Sequence, residues 1–206
     1  MITAIGDVLR EAYKRGWITT RDGNISVRRG KNLYISPSGW RKTIIHPEHI
    51  LKAKIQNYNK TTLEWYEGRG SGKPSGELEM HKLLQTVDFQ GKCARSVVHL
   101  HPTHTVAAME AGWELKDIAE RLQELSRFTK VGPNVRKLPV TSAILATETF
   151  NAMTDHHDND LYLAYDIVGQ VGHGVTAIGQ SPWDAFEHIE RLEHACQIIL
   201  LSGVKP

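Results

Sequence analysis

The sequence lacks most of the features that would assign it to a specialised class of protein. Only two of its 206 residues are cysteines, Cys93 and Cys196. They lie far apart in apolar segments, so we expect buried thiols in a reducing compartment rather than a disulfide. The longest apolar runs are a few residues, too short to span a bilayer. The first residues show no signal-peptide pattern. These absences favour a cytoplasmic protein that does not act at a membrane.

The sequence also lacks an excess of charge of either sign. Its 25 basic and 23 acidic residues give a net charge of +2, which argues against a dedicated nucleic-acid-binding protein with a basic face. We find no internal repeat, low-complexity tract or linker. The proportions of apolar and charged residues are those of an ordinary globular protein, and the length suits a single domain spanning residues 1–206.

Helical and strand-like patterns alternate along the chain. The clearest helix is the last one, because Ser181 can cap it and Pro182 suits its first position. Ser75 is expected to cap another helix in the same way. Helices are predicted at 5–16, 77–87, 102–112 and 182–199, and strands at 24–28, 31–36, 50–56, 62–67, 96–101, 166–171 and 175–178. Residues 113–140 give no clear pattern. The alternation predicts a three-layer α/β fold.

Histidine is unusually frequent, with 11 residues, and this points to metal or acid–base chemistry. His99 and His101 lie two apart in a predicted buried strand, so both side chains should face the same way. Two imidazoles on one strand face can bind one cation, and a zinc site needs a third protein ligand. Taken alone, the pair could equally include a hydrogen-bonded core histidine. His173, placed between two glycines after another strand, is a candidate third ligand, although histidines in tight turns are common.

Glu77 follows a glycine-rich segment and begins a predicted helix. A helix N-terminus stabilises an anionic carboxylate, so a structural role would explain Glu77 as well as a catalytic one would. Nearby loops with small side chains and backbone N–H groups, at Asn24, Ser38–Gly39 and Ser75–Gly76, are typical of phosphate sites, although each could be an ordinary turn.

Five short stretches, in this order, resemble the class II aldolase/adducin family, and together they cover nearly the whole chain. They are Asp-Gly-Asn-Ile-Ser-Val-Arg at 22–28, Ile-Ser-Pro-Ser-Gly at 35–39, Lys-Pro-Ser-Gly-Glu at 73–77, His-Leu-His at 99–101 and Gly-His-Gly at 172–174.

The resemblance implies a fold, a metal site and an assembly. The fold would be an α/β/α domain with a central, largely antiparallel mixed sheet. His99, His101 and His173 would hold Zn²⁺, with Mn²⁺, Co²⁺ or Fe²⁺ as alternatives, and Glu77 would be the catalytic acid–base residue. Family members usually form cyclic homotetramers with active sites between subunits. The residues that the resemblance places around a substrate phosphate are Asn24, Ser38, Gly39, Ser75 and Gly76, and Arg21 is added to them as a candidate from outside the shared motif.

The chain also departs from the pattern of fuculose-phosphate aldolases. Their usual Ser-Ser-Glu is here Ser75-Gly76-Glu77, which removes one hydroxyl. Arg21 precedes the Asp-Gly-Asn stretch and could clamp a phosphate or another anionic group. Phe128 lies in the neighbourhood where those aldolases carry a catalytic tyrosine.

These observations lead to one main hypothesis and several alternatives. The main one is a metal-dependent aldolase, a lyase that cleaves a phosphorylated sugar or sugar acid through a metal-stabilised enediolate. Within the family the alternatives are a 3-oxo-tetronate 4-phosphate decarboxylase, a methylthioribulose-1-phosphate dehydratase and a pentulose-phosphate 4-epimerase. From other classes they are an adducin-like, non-catalytic oligomerisation domain and a metal-dependent hydrolase.

Overall fold

A seven-stranded sheet forms the centre of the protein. The computed structural model describes residues 1–57, 60–65, 72–87, 94–158 and 160–206. In these residues the strands are β1 (Asn24–Arg29), β2 (Asn32–Ile35), β3 (Leu51–Asn57), β4 (Lys60–Trp65), β5 (Ser96–Leu100), β6 (Thr154–His157), β7 (Asp160–Leu163), β8 (Ile167–Gln170) and β9 (Gly174–Gly179). The sheet order is β4-β3-β2-β1-β5-β9-β8, whereas β6 and β7 form a separate hairpin. Every neighbouring pair in the sheet is antiparallel, which confirms the predicted central sheet.

Helices cover both faces of this sheet. They are α1 (Ile2–Lys14), α2 (Leu78–Thr86), α3 (Thr103–Glu110), α4 (Leu115–Arg121), α5 (Gln123–Phe128), α6 (Ala143–Met153) and α7 (Pro182–Ser202). The apolar faces of α1, α3, α4 and α7 share one buried cluster with Val98 and Leu100 of β5. The apolar faces of α2 and α6 share a second cluster with Val97 of the same strand. The three-layer architecture expected from the sequence is therefore confirmed.

The two faces of β5 decide where the candidate site lies. Successive side chains of a strand point to opposite faces, so His99 shares the face of Val97, which is covered by α2 and α6. His101 follows directly after the end of β5, in the same alternation. The side chains of both histidines therefore face the layer formed by α2 and α6, which has fewer helices than the layer that contains α1 and α7.

The helix ends follow the sequence signals, with one exception. Ser181 Oγ accepts the backbone N–H of Asp184 at 3.1 Å and Pro182 is the first residue of α7, as predicted. The predicted N-cap Ser75 is wrong, because α2 begins at Leu78 and Glu77 is its N-cap. The chain turns through residues 75–77 before it becomes helical, and in this turn the Ser75 hydroxyl accepts the N–H of Glu77 at 3.2 Å.

Sequence patterns miss the elements between Trp113 and Tyr165. Helices α4 and α5 have seven and six residues, too few for a clear helical repeat. The buried face of α6 includes Ala146 and Thr149, so its apolar pattern is weak. Cys196 is buried, as expected. Cys93, the last two residues of the predicted strand 62–67 and residues 68–71 of the glycine-rich segment 68–76 lie outside the described residues. No described helix is both long and apolar enough to cross a membrane.

A carboxylate from α7 fixes the start of α3, directly after His101. Glu193 is buried, and its Oε1 accepts the backbone N–H of His104 at 3.0 Å. Its Oε2 accepts both the backbone N–H and the hydroxyl of Thr105, each at 2.8 Å. A side chain from another helix thus caps α3, and His104 contacts this carboxylate rather than the histidines of β5.

We predict that Glu193→Ala lowers the free energy of unfolding by about 3 kcal/mol, because buried donors lose a charged acceptor. The matched control is Glu190→Ala, which removes an exposed ion pair with Arg15 on the same helix and should cost less than about 1 kcal/mol. Urea denaturation of the three proteins measures both values. Equal losses in the two variants would show that Glu193 does not anchor α3.

Candidate active site

The register of the central strands aligns the first ligand candidate with two partners. Asn24 of β1 and Thr176 of β9 lie opposite His99 on either side. The Nδ1 atom of His99 lies 3.2 Å from the Thr176 hydroxyl, which fixes the ring. Its Nε2 atom is therefore directed away from β9, toward His101, His173 and Glu77.

Three imidazoles converge at this point. The Nε2 atom of His99 lies 2.9 Å from Nε2 of His101 and 3.2 Å from Nε2 of His173. Although His101 and His173 are 72 positions apart in sequence, β9 follows His173 directly and pairs with β5, which brings the two together. Gly174 permits this approach, because a Cβ atom there would lie 2.4 Å from the carbonyl oxygen of Leu100 and 2.6 Å from the His101 ring.

Glu77 lies beside the histidines, at the N-terminus of α2. Its Oε2 is 3.3 Å from Nε2 of His99, and its Oε1 is 3.5 Å from Nε2 of His173. Oε1 is buried and accepts no hydrogen bond. The structure thus places the carboxylate and the three imidazoles in one cluster, as a metal site with an adjacent acid requires.

A buried chain of polar groups holds the other carboxylate oxygen. The side-chain N–H of Asn24 donates to Glu77 Oε2 at 2.8 Å, and the Asn24 oxygen lies 2.5 Å from Nε2 of His81. The Ser26 hydroxyl is 2.7 Å from Nδ1 of His81 and also 2.7 Å from the side-chain oxygen of Gln85. Asn24 therefore orients Glu77 here, and its phosphate contact remains a prediction. Sequence analysis missed His81, although its position four residues after Glu77 on a helix was a usable signal.

Burial controls the charge state of the cluster. It lowers the pKa of His99 well below the ordinary histidine value and also lowers the pKa of His101. Burial, followed by the neighbouring His101, lowers the pKa of His173 to about 4. For His81, burial lowers the pKa to about 3. In the opposite direction, burial raises the pKa of Glu77, and the hydrogen bond from Asn24 partly offsets the rise. The imidazoles are thus neutral near pH 7, the form in which histidine binds metals.

An open pocket of about 360 Å³ leads to this cluster. Its lining contains most of the predicted site residues, namely Arg21, Asn24, Ser38, Gly39, Ser75, Gly76, Glu77, His101 and His173. His99 is fully buried behind them. Phe128 is half exposed on α5 and does not line this pocket. The pocket also contains Asp22, Lys42 and Thr141, to which sequence analysis assigned no role.

Comparison with known proteins assigns the chain to a family. The class II aldolase and adducin N-terminal domain model matches residues 3–200. The chain belongs to this family. Such a match over nearly the whole chain confirms the resemblance found in the five motifs.

The relatives of this chain within the family are named for different reactions. An L-fuculose phosphate aldolase of Methanococcus maripaludis is 25% identical over 198 residues, which are 96% of this chain and 94% of that protein. A Nocardia farcinica protein is named as a bifunctional methylthioribose-1-phosphate isomerase and methylthioribulose-1-phosphate dehydratase. It is 26% identical over 97% of the chain, which spans only 35% of its length. A sugar-phosphate aldolase structure from Thermotoga maritima shares the fold, with a TM-score of 0.77, 21% identity and coverage of 100% and 97%.

The residues of this class II aldolase family member fit a divalent metal, on which class II aldolases generally depend. Two nitrogens bound to one tetrahedral zinc ion lie roughly 3.3 Å apart, close to the Nε2 separations measured from His99. The neutral rings offer lone pairs, and Thr176 orients His99 from behind. A cation would also give the unpartnered Oε1 of Glu77 a neighbour of opposite charge.

Lys42 is a buried cation in the wall of the same pocket. It is 2% exposed, and its Nζ donates to the carbonyl oxygen of Pro37 over a long 3.4 Å. Burial lowers the pKa of Lys42 to about 8, against a smaller opposing effect of Asp22. Because one long hydrogen bond and the charge of Asp22 compensate little of the cost of burying this ammonium group, Lys42 destabilises the fold. Such a cost is typical of a charged residue that binds a ligand of opposite charge.

We predict that Lys42→Met is more stable than the parent at pH 7 and that this advantage shrinks as the pH rises from 8 to 10.5. In that window the unfolded parent binds more protons than the folded parent, so the parent's stability rises with pH. Urea denaturation at pH 7 and 9.5 measures the difference, with exposed Lys116→Met as the control. A difference that does not change with pH would contradict the argument.

Proposed function

We propose that the protein is a metal-dependent aldolase that cleaves a carbon–carbon bond of a phosphorylated sugar or sugar acid. The observation that carries the proposal is the buried Glu77 carboxylate, which has one oxygen held by Asn24 and the other turned, without a hydrogen bond, toward the histidine cluster. A purely structural N-terminal carboxylate would be expected to have both oxygens satisfied. The Oε1 atom of Glu77 is instead left for a proton transfer with a bound substrate.

The residue roles in the proposal follow from this geometry. His99, His101 and His173 hold the divalent ion, which when bound supplies Lewis-acid stabilisation of negative charge developing on substrate oxygen. In a retro-aldol cleavage a hydroxyl loses its proton, the adjacent carbon–carbon bond breaks, and the resulting enediolate takes up a proton. Glu77 moves a proton at the substrate oxygen or at the adjacent carbon. Burial raises its pKa toward the operating pH, which favours transfer in both directions.

The outer part of the pocket is proposed to bind the phosphate. Arg21 and Lys42 bring positive charge to this part of the wall, and Ser38 and Ser75 bring hydroxyls. Gly39 and Gly76 keep the backbone accessible. Arg21 is exposed and can reach outward, whereas Lys42 is fixed by burial. The two cations favour an anionic substrate over a neutral one, and Asp22 in the same lining offsets only one of them.

A dehydratase is the second candidate. It is supported by the Nocardia farcinica relative, whose name includes methylthioribulose-1-phosphate dehydratase activity and which matches as much of the chain as the aldolase relative does. Both reactions form an enolate-type anion beside a carbonyl group, but their proton transfers differ. Dehydration removes a proton from the carbon next to the carbonyl and expels the hydroxyl of the following carbon as water, whereas retro-aldol cleavage removes a hydroxyl proton and breaks a carbon–carbon bond. Product analysis distinguishes them, because an aldolase releases two carbon fragments and a dehydratase releases water.

The proposal also includes the assembly and location expected from the sequence. These are a single domain over residues 1–206, a cyclic homotetramer with active sites between subunits, and a cytoplasmic location. Light scattering on the purified 23.2 kDa chain measures the assembly directly. A monomeric mass would remove the inter-subunit sites from the proposal.

We predict that Glu77→Gln retains one divalent metal ion per chain but loses at least about 100-fold in turnover, because it can no longer transfer a proton. Metal analysis and a panel of phosphorylated ketoses and 3-oxo acids provide the two measurements. His173→Ala is the control that should lose metal as well as activity. Unchanged turnover in Glu77→Gln would exclude Glu77 from the chemistry, and a metal-free, inactive parent would favour an adducin-like domain.

A further inference from the structure

Thr141 has an unusual backbone conformation at the edge of the active-site pocket. Its φ is 58°, in the left-handed region that β-branched residues rarely adopt. Among the described residues, the only other non-glycine residue with positive φ is Asp158, in the β6–β7 turn. Aspartate tolerates such a turn through its short polar side chain, whereas threonine does not. A strained residue at a pocket suggests that its side chain is needed there.

The neighbouring residues hold Thr141 in this conformation. The Ser142 hydroxyl donates to the carbonyl oxygen of Pro139 at 2.6 Å and accepts the N–H of Leu145 at 3.2 Å, so it both closes the turn and caps α6. Leu145 is buried between α6 and α2. Ser142 thus closes the turn across Thr141 and ties it to the first turn of α6, which opposes a local backbone shift that would relieve the strain.

Gly76 provides the space that Thr141 occupies. A Cβ atom at position 76 would lie 2.9 Å from Cγ2 of Thr141 and 3.4 Å from its Cβ. A side chain at 76 and a threonine at 141 therefore compete for one volume. Both residues line the pocket beside Ser75 and Glu77, and both also border the contact between α2 and α6, so this volume lies where the pocket wall meets the helical layer.

We propose that Thr141 is a substrate-binding residue whose hydroxyl contacts the anionic group of the substrate beside Gly76. The Cγ2 methyl faces Gly76, and the hydroxyl is the other branch of a side chain that lines the pocket. Ser38, Ser75 and Lys42 line the same pocket, so the hydroxyl joins a set of groups suited to a phosphate. This inference rests on the proposed function, because it takes the substrate to be phosphorylated.

The contact can be tested with inorganic phosphate as the probe, without knowledge of the full substrate. Thr141→Val keeps the shape and the β-branch but removes the hydroxyl. Calorimetric titration of the purified, metal-loaded protein should show a Kd for phosphate that is about tenfold weaker than that of the parent, since a hydrogen bond to a charged group is lost. Thr141→Ser should stay within about twofold of the parent. Thr3→Val, on the exposed side of α1, is the control for a generic threonine substitution.

A second pair of variants tests the competition between positions 76 and 141. Gly76→Ser alone should weaken phosphate binding, because its side chain collides with Thr141. Thr141→Gly should weaken binding but raise the melting temperature, because the backbone strain is relieved. The double variant, Gly76→Ser with Thr141→Gly, should bind phosphate more tightly than either single variant, since the serine hydroxyl can enter the volume that the Thr141 side chain leaves and contact the phosphate from there.

The outcomes separate this inference from the proposed function. Parent-like phosphate binding in Thr141→Val would overturn the inference, whether or not the parent is an aldolase. Failure of the parent to bind phosphate at all would overturn it as well. A parent that binds phosphate through Thr141 but cleaves none of the panel compounds would leave the inference standing and reject the aldolase assignment.

Discussion

The candidate site depends on the antiparallel register that places β5 between β1 and β9. This register puts Asn24 and Thr176 on either side of His99, so one partner orients the imidazole and the other orients the carboxylate beside it. A shift of one residue would turn the whole histidine face into the opposite helical layer. The apolar residues of β5 oppose such a shift, because it would move Val98 and Leu100 out of the core in which they pack beneath α1 and α7.

Burial then gives the cluster its chemistry. The same loss of water that keeps the imidazoles neutral also raises the pKa of Glu77 and lowers that of Lys42. For Glu77 and Lys42 the shift reflects a buried charge that is poorly compensated, and each of these groups would gain from a partner of opposite charge, whereas the neutral imidazoles keep lone pairs for a metal ion. The chain of Asn24, His81 and Ser26 keeps this arrangement rigid, since His81 stays uncharged and its ring nitrogens are both engaged.

Sequence patterns predict most of this fold because long amphipathic helices and buried strands dominate it. The pairing of His99 with His101 follows from strand alternation alone, and the Gly-His-Gly motif marks His173. No local pattern could predict Lys42, because its burial comes from the packing of its short 3₁₀ turn, Lys42–Ile44, against α1 and the pocket wall. Thr141 could not be predicted either, because a positive φ at a threonine runs against the preference of that residue type and no sequence pattern indicates it. The cap of α2 was misplaced because serine side chains satisfy turns as readily as helix ends.

The loop from Pro139 to Ser142 contributes to the pocket wall but to none of the sheet that carries the histidines. Its anchor is α6, a helix that packs on α2 and lies in the thinner of the two layers. Changes in this loop can therefore alter the shape of the pocket while the histidine cluster and its strand register stay unchanged. Under the proposed function, the residues that react lie on the sheet and at the start of α2, whereas this loop shapes the space for the substrate, so related chains could diverge in substrate without rebuilding the histidine cluster.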